Sequence, residues 1–403
     1  MKLRHYLSEL RTVMGIQHGS RAFGGPIQAY MGLSNRCRNF CLHCYYYSPL
    51  LEKPTLRPLR KARRMAVETP SLESLRKIQR LDADYERTSR LIDELIDMGV
   101  WRFVFSGSGE PFLNDNALDF MRRAKQADCV CTVNTSGYLL NRDKIDELIA
   151  MEFDEIRVTT MAGTPEMYRR THPKAYGTAF DRIRDNLLYM AERKKALGVK
   201  RPDVRLFTIV ISENYDSMEE FARFAVDVQA DRVMYRPYDD VEDPGLAALV
   251  PTEDQASAVR EQLAEVKPFL ESKGVSHNID HFLKIWDNQV NTAALYRIIP
   301  CYYGWASTQI LVSGKVYPCG RCYDSFGDIF QDDFRDIWHG SAYRKFRAEG
   351  RRLNKGETTV SGADCNRCSH HAANLRVYRA LHPLKRHSKD LENLSPGRPL
   401  KKA

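Results

Sequence analysis

Apolar positions along the chain follow two alternating periods. Short runs in which apolar and polar residues alternate, typical of strands, are separated by stretches in which apolar residues recur every three to four positions, typical of helices. The predicted strands are 27–33, 101–105, 129–133, 155–160, 204–211 and 232–235, and the predicted helices between them are 84–98, 114–126, 141–151, 178–197 and 217–228. The pattern therefore predicts six β/α units.

This alternation with short connections predicts an α/β fold in which helices cover a parallel sheet. Right-handed crossovers would curl six such units into a partial (β/α)6 TIM-like barrel. Functional residues of such barrels lie at the carboxyl ends of the strands. We therefore expect the site in the loops that follow the strands.

Smaller segments are expected around this barrel. They comprise a helix and connector, a basic insertion in the barrel that is either solvated surface or an anion-binding arm, a helical linker, a small β-hairpin-plus-helix domain and a basic tail. The predicted boundaries are 1–26 for the helix and connector, 27–240 for the barrel, 49–80 for the insertion, 241–300 for the linker, 301–370 for the small domain and 371–403 for the tail.

Composition limits the class of protein. Of the 403 residues, 43% are hydrophobic and 28% charged, as in an ordinary soluble protein. There is no apolar run of the ~20 residues that a membrane helix needs, and the N-terminus has no signal-peptide pattern, so we expect a cytoplasmic protein. The net charge of +9 permits an acidic partner but is spread along the chain, so it does not establish one.

The ten cysteines carry the candidate chemistry. The cytoplasm keeps thiols reduced, so their grouping favours metal ligands over disulfides. Cys37, Cys41 and Cys44 lie within eight residues, with three and then two residues between them. Three such cysteines ligate three irons of a cubane, whereas a fully ligated 4Fe-4S cluster needs four, which leaves one iron open to chelate a small molecule.

This spacing resembles the CxxxCxxC signature of the radical S-adenosylmethionine (SAM) superfamily. The resemblance implies a 4Fe-4S cluster that binds SAM and cleaves it reductively to a 5'-deoxyadenosyl radical. It also implies a low-potential electron donor of the flavodoxin or ferredoxin type. The radical would then abstract a hydrogen from the substrate.

The loop after the second predicted strand resembles the GGEP motif of the same superfamily, which contacts the amino group of SAM. Ser108 stands in place of the first glycine, and Gly109, Glu110 and Pro111 complete the motif. Taken alone, these residues form a common turn. Their position one β/α unit after the cysteines supports a SAM-binding role, in which the Glu110 carboxylate meets the ligand ammonium.

Four further residues are expected near SAM. The resemblance places His43, before the third cysteine, against the adenine, and places Thr160 and Asn214 near the ribose and carboxylate. Thr160 and Asn214 could equally cap the helices that follow them. Asn134 belongs to the small polar segment after the third strand. Cys129 and Cys131 share one strand face and are expected to be buried apolar residues.

A second cysteine group follows the linker. Twelve residues separate Cys301 from Gly314 and four separate Gly314 from Cys319, with a predicted hairpin, 308–311 and 315–318, around the glycine. This spacing resembles the opening of the SPASM domain. The later part of that pattern is reduced to Cys365 and Cys368, which favours the truncated "twitch" version. The resemblance implies one auxiliary 4Fe-4S cluster on Cys301, Cys319, Cys365 and Cys368.

An alternative for these cysteines is a zinc ribbon that uses the pairs 319/322 and 365/368. In the cluster interpretation Cys322 is left over and is expected not to be a ligand. It is then either a packed thiol or a catalytic proton acceptor whose pKa is lowered by Arg321 and Lys315. His370 and His371 are expected on the surface.

The sequence thus predicts a radical SAM oxidoreductase-type enzyme with SAM and two 4Fe-4S clusters, acting on a small polar metabolite of the sugar or cyclitol type. One alternative is modification of a ribosomally made peptide, against which we weigh the absence of a winged-helix peptide-recognition domain. An alternative of a different class is a non-catalytic iron-sulfur or zinc module that binds nucleic acid.

Overall fold

The structure is a computed structural model. It describes residues 3–44, 46–50, 81–107, 109–238, 244–288, 295–355, 360, 362–365, 368 and 370–383. Ser108, most of the predicted basic insertion and the tail beyond residue 383 lie outside the described residues.

The strands form one open sheet in the order β10-β9-β8-β1-β2-β3-β4-β5-β6-β7. They are β1 Gln28–Met31, β2 Arg102–Phe105, β3 Val130–Thr135, β4 Glu155–Thr159, β5 Asp203–Val210, β6 Arg232–Pro237, β7 Ser276–His277, β8 Ser307–Ile310, β9 Lys315–Tyr317 and β10 Gly327–Asp328. Strands β1 to β7 pair in parallel, which confirms the predicted α/β fold with a parallel core.

Helices connect the parallel strands and continue after them. They are α1 Leu3–His18, α2 Tyr85–Asp97, α3 Ala117–Gln126, α4 Arg142–Ala150, α5 Pro165–Thr171, α6 Ala179–Leu197, α7 Met218–Asp227, α8 Pro244–Ala247, α9 Glu253–Ser272, α10 Ile279–Asn288, α11 Tyr303–Ala306, α12 Phe334–His339, α13 Ser341–Arg352 and α14 His371–Leu381. Within the described part of the chain, no helix is long and apolar enough to cross a membrane.

The two faces of the parallel sheet differ in burial. On β4, Ile156 and Val158 are fully buried in the same core as Ile183 of α6. Cys129 and Cys131 belong to this core too, as predicted for buried apolar residues. Because successive side chains of a strand point to opposite faces, Arg157 and Ile209 lie on the other face, where they stay partly exposed. At these two positions the face away from this core is therefore less buried.

The predicted hairpin is formed by β8 and β9, and its turn uses Gly314 at a φ of +83°. It does not form a separate sheet. Strand β8 pairs in parallel with β1, from Gln28 opposite Ser307 to Met31 opposite Ile310. The C-terminal cysteine segment is therefore joined directly to the strand that leads into the first cysteine loop.

Candidate active site

The first cysteine loop follows β1 and is held by two hydrogen bonds to helix α5. The Leu42 amide donates to the Thr171 carbonyl at the end of α5 over 2.9 Å. The Tyr168 hydroxyl donates to Asn39 Oδ1 over 3.1 Å, and Asn39 Nδ2 lies 3.8 Å from Cys41 Sγ. Helix α5 therefore fixes the loop that carries the three cysteines.

Burial makes these thiols poor acids when they have no cationic partner. It raises the pKa of Cys37 to about 12, and the charges of Glu110 and Cys44 add to the effect. The pKa of Cys41 is raised well above its usual value by burial and then by its two neighbouring cysteines. Gathering three buried thiolates is costly unless positive charge compensates them, and iron supplies that charge.

The spacing of the three cysteines fits a cubane. Among the residues that the structure describes, no three His, Cys, Asp or Glu side chains form a group that could hold one metal ion. A 4Fe-4S cluster does not require such convergence, since each cysteine binds a different iron. The three thiols of the first loop therefore suit a cluster with one open iron.

The loop after β2 packs directly on the first cysteine loop. A Cβ added at Gly109 would lie 2.7 Å from the Ser34 carbonyl oxygen and closer still to that of Arg36. Real Cβ atoms do not approach backbone this closely, so only glycine allows the contact. The next residue, Glu110, donates its amide to the Arg36 carbonyl over 2.8 Å. The Gly-Glu pair thus positions the Glu110 carboxylate beside the cysteines.

Glu110 is 6% exposed and is held by the end of β3. Its Oε1 accepts from the Thr135 hydroxyl over 2.7 Å, and its Oε2 accepts from the Ser136 amide and hydroxyl, each over 2.8 Å. Burial raises the pKa of Glu110, and these hydrogen bonds oppose that rise. Pro111, which is buried, begins a short 3-10 turn after it.

A cavity of about 280 Å³ opens between the two loops. Its lining residues are Cys37, Arg38, Asn39, Glu110, Leu113, Ser136, Tyr138, Leu139, Ala175, Tyr176, Ala179 and Arg182. Glu110 gives the cavity an acidic group, and Arg182 gives it a cation stacked 4.5 Å above the Tyr138 ring. A ligand with both an ammonium and a carboxylate matches these charges.

His43 and Asn134 do not line this cavity. His43 is half-buried, and burial lowers its pKa to about 4, so its imidazole is neutral at pH 7. Asn134 donates to the Ser106 hydroxyl over 2.9 Å. Asn134 Oδ1 and His43 Nδ1 are both buried and have no hydrogen-bond partner in the described part of the chain. A role near the cofactor remains a prediction for both.

Thr160 and Asn214 are fully buried and hydrogen-bond to neighbouring backbone. The Thr160 hydroxyl donates to the Ala162 carbonyl over 3.2 Å. Asn214 Nδ2 donates to the Met161 carbonyl over 3.1 Å, and its Oδ1 accepts from the Ile211 amide over 2.8 Å. These contacts tie the ends of β4 and β5 together. A contact of either residue with SAM stays a prediction.

The second cysteine group gathers residues from separate segments. Its members are Cys301, Cys319, Cys322, Cys365 and Cys368, each buried or half-buried. Burial raises the pKa of Cys301, and the charges of Cys368 and Cys365 raise it further. The pKa of Cys319 is raised by burial and then by Cys322. The mutual repulsion shows that the fold brings these thiols together.

Cys322 differs from the expectation for an activated thiol. Its Sγ donates to the Asp324 carbonyl over 3.5 Å. Burial, followed by the charge of Asp324, raises its pKa to about 12. The predicted lowering by Lys315 and Arg321 is not found. Lys315 instead pairs with Asp328 over 3.1 Å. These contacts favour a packed thiol over a proton acceptor.

The expectation that His370 and His371 lie on the surface is wrong. Both are half-buried. The His370 ring stacks on Tyr303 with a centroid distance of 3.9 Å, and burial lowers its pKa to about 4. His371 Nδ1 lies 3.0 Å from the Cys368 carbonyl oxygen. Both therefore pack around the loop that carries Cys368.

Sequence reasoning missed several residues of these sites. Tyr138, Tyr176 and Arg182 line the cavity, but they come from segments with no motif. Tyr296 and Asn374 lie beside the second cysteine group, in segments that also carry no motif. Ser136, which hydrogen-bonds to Glu110, was not named as a candidate either. It lies in the small polar segment after the third predicted strand, and that segment was the only sequence pattern that pointed to this part of the site.

Two family models match the chain. The radical SAM superfamily model matches residues 31–225, which include the first cysteine loop and the Glu110 loop. The SPASM model, an iron-sulfur cluster-binding domain, matches residues 301–369, which include all five cysteines of the second group.

Curated relatives are distant. A tungsten-containing aldehyde ferredoxin oxidoreductase cofactor-modifying protein of Pyrococcus furiosus is 22% identical over 306 residues, which cover 71% of this chain and 79% of that protein. A PqqA peptide cyclase of Ruegeria pomeroyi is 25% identical over 284 residues, which cover 66% of this chain and 68% of the cyclase.

Solved structures share the fold at low sequence identity. Streptococcus suis SuiB bound to its precursor peptide SuiA has a TM-score of 0.56 at 14% identity, covering 88% of this chain and 71% of SuiB. The anSMEcpe complex with AdoMet and the Kp18Cys peptide has a TM-score of 0.54 at 13% identity, covering 91% of this chain and 99% of that one.

Proposed function

This chain belongs to the radical SAM superfamily and carries a SPASM domain, and from that premise we propose that it modifies a ribosomally made peptide. The observation that carries the proposal is that similar proteins are named for peptides. One relative is a PqqA peptide cyclase, and SuiB and anSMEcpe were solved with peptides bound. Peptide modification is therefore favoured over the small-metabolite interpretation.

The cofactors implied by the two domains are SAM and two 4Fe-4S clusters. In this proposal Cys37, Cys41 and Cys44 hold the SAM-binding cluster. The ligands of the auxiliary cluster are Cys301, Cys319, Cys365 and Cys368. When bound, the first cluster and SAM supply reductive cleavage of SAM and hydrogen abstraction. A low-potential donor of the flavodoxin or ferredoxin type is proposed to deliver the electron.

The cavity residues have separate tasks in this scheme. Glu110, fixed by Thr135 and Ser136, is placed to accept the ammonium of SAM. Arg182 supplies positive charge for the SAM carboxylate. Leu113 and Leu139 line the same cavity and exclude water from it. The oxidoreductase type of the reaction is also part of the proposal, because the second cysteine group supplies a further redox centre.

We propose that a peptide approaches along the less buried face of the parallel sheet. Arg157 and Ile209 are partly exposed on that face, and Arg236 is exposed. Among the described residues, strands β7 and β10 stand at the two ends of the strand order, so the described strands do not close into a barrel. A side chain of a peptide can therefore approach the carboxyl ends of the strands while the rest of the peptide stays outside.

A small-molecule substrate is the second candidate. The specific observation in its favour is the relative from Pyrococcus furiosus, which is named for modifying a cofactor. Its alignment covers 71% of this chain, whereas that of the PqqA peptide cyclase covers 66%.

Mass spectrometry of a candidate peptide tests the proposal. The reconstituted protein is incubated with SAM, a strong reductant and the product of a short reading frame beside its gene, and Cys41→Ala is the control. We expect a mass change in the peptide that requires SAM and is lost in the control. An unchanged peptide, together with consumption of a small polar metabolite under the same conditions, would contradict it.

A further inference from the structure

Two buried polar side chains contact the second cysteine group and have no part in the proposed chemistry. Tyr296 is 4% exposed and Asn374 is 1% exposed. The Tyr296 hydroxyl lies 2.9 Å from Cys368 Sγ. Asn374 Nδ2 lies 2.8 Å from the same hydroxyl and 3.8 Å from Cys301 Sγ. The pair therefore reaches two of the proposed cluster ligands.

The direction of these hydrogen bonds follows from one backbone contact. The Tyr302 amide donates to Asn374 Oδ1 over 2.7 Å, which fixes the orientation of the amide group and turns Nδ2 towards Tyr296. Since Nδ2 donates to the Tyr296 oxygen, the single phenolic proton is free to point the other way. Tyr296 is thus left to donate to Cys368 Sγ.

Cys368 Sγ accepts a second hydrogen bond besides the one from Tyr296. The His370 amide also donates to its sulfur, over 3.3 Å. A tyrosine hydroxyl carries its proton near neutral pH, so Tyr296 is able to donate. Two donors aimed at one sulfur suit a thiolate that ligates iron.

Hydrogen bonds to cysteine sulfur tune iron-sulfur clusters. A donor stabilises negative charge on the sulfur, and the reduced cluster carries more of that charge than the oxidised one. We propose that Tyr296, held by Asn374, donates a hydrogen bond to the cluster ligand Cys368 and thereby raises the reduction potential of the auxiliary cluster. This rests on the proposed function, in which Cys368 is a ligand.

A potential measured on the full-length chain tests the role. Cys37, Cys41 and Cys44 are replaced by alanine so that only the auxiliary cluster contributes to the signal. In this background Tyr296→Phe is compared with Tyr302→Phe. Tyr302 is a matched control because its hydroxyl, also buried, has no hydrogen-bond partner among the described residues.

In an electron paramagnetic resonance titration, Tyr296→Phe should keep about four irons and shift the potential to more negative values. Tyr302→Phe should keep the parent potential. An unchanged potential in an iron-loaded Tyr296→Phe variant would overturn the tuning role. If that variant takes up no iron, Tyr296→Met, which also lacks the hydroxyl, repeats the test, and an unchanged potential there would overturn it equally.

The ligand assignment has its own readout. Cys368→Ala in the same background should lose the auxiliary irons. Retention of those irons would show that Cys368 is not a ligand. It would overturn both the ligand assignment and the tuning role of Tyr296, which depends on it. An unmoved potential in Tyr296→Phe, with loss of iron in Cys368→Ala, would overturn the tuning role alone.

Discussion

The two cysteine groups are built in opposite ways. The first lies in one loop, where Cys37, Cys41 and Cys44 are neighbours in sequence. The second takes Cys301 from the segment before α11, Cys319 from the segment after β9 and Cys368 from the loop before α14. In both groups burial raises the pKa of the thiols.

The two cysteine groups therefore depend on different parts of the chain for their positions. The first needs its own loop, the hydrogen bonds of that loop to α5, and the Gly109 contact that positions Glu110. The second depends on distant packing. Strand β8 pairs with β1, and the Cys301 amide donates to the Gly350 carbonyl of α13 over 2.9 Å. Substitutions in β1, β8 or α13 can therefore disturb the second group, whereas the first is sensitive mainly to changes in its own loop, in α5 and at Gly109.

The largest effect is expected from removing one ligand at each site. The reconstituted protein should hold about eight irons, and Cys41→Ala and Cys319→Ala should each lose about four. The two losses should be independent because the ligand sets share no cysteine. Iron and zinc analysis checks this. One zinc with about four irons in the unmodified protein would contradict the auxiliary cluster and favour the zinc ribbon.

A smaller but still large effect is expected from Gly109→Ala. The added methyl group collides with the backbone at Ser34 and Arg36, so the loop that carries Glu110 must move. SAM affinity should fall at least about tenfold, which corresponds to ~1.4 kcal/mol, while the auxiliary irons remain. Gly177→Ala is the control, because a Cβ there meets nothing within 4 Å. Equal SAM affinity of the two variants in calorimetric titration would refute the close contact.

Glu110→Gln should act on SAM alone. Losing one charge-assisted hydrogen bond costs about 1.5–3 kcal/mol, or roughly 10- to 100-fold in affinity, with both clusters kept. The control is Glu166→Gln, since the Glu166 side chain on α5 is 73% exposed. Burial raises the pKa of Glu110, so this carboxylate becomes protonated at a higher pH than an exposed glutamate does. SAM affinity of the unmodified protein should therefore weaken as the pH falls, and a flat pH profile would argue against this role.

The smallest effect is expected from Cys322→Ala. Its Sγ hydrogen-bonds to the Asp324 carbonyl, and it is not among the four proposed ligands. Iron content should stay at the parent value. If this variant loses the auxiliary cluster while Cys365→Ala keeps it, the ligand set is wrong.

Features that depend on residues close together in the chain could be predicted from the sequence. The six β/α units and the hairpin at Gly314 follow from periodicity and turn residues close together in the chain. The pairing of β8 with β1 could not be predicted, because strands so far apart in sequence carry no signal of their register.

The polar residues around the clusters were harder to predict for a related reason. Asn374 lies on an ordinary amphipathic helix, and Tyr296 is one aromatic residue among many, so neither stands out in the sequence. The misplaced His370 shows the same limit, since its burial depends on Tyr303. Burial also reversed the expected pKa of Cys322, because neighbours in sequence do not determine solvent exposure.

The central claim is that the first cysteine loop supports reductive cleavage of SAM. Formation of 5'-deoxyadenosine by the anaerobically reconstituted protein, with SAM and a strong reductant, tests this most directly. The unmodified protein and Cys131→Ala, whose buried cysteine lies outside both groups, should form it. Cys41→Ala should not. Equal product from Cys41→Ala and the unmodified protein would contradict the account.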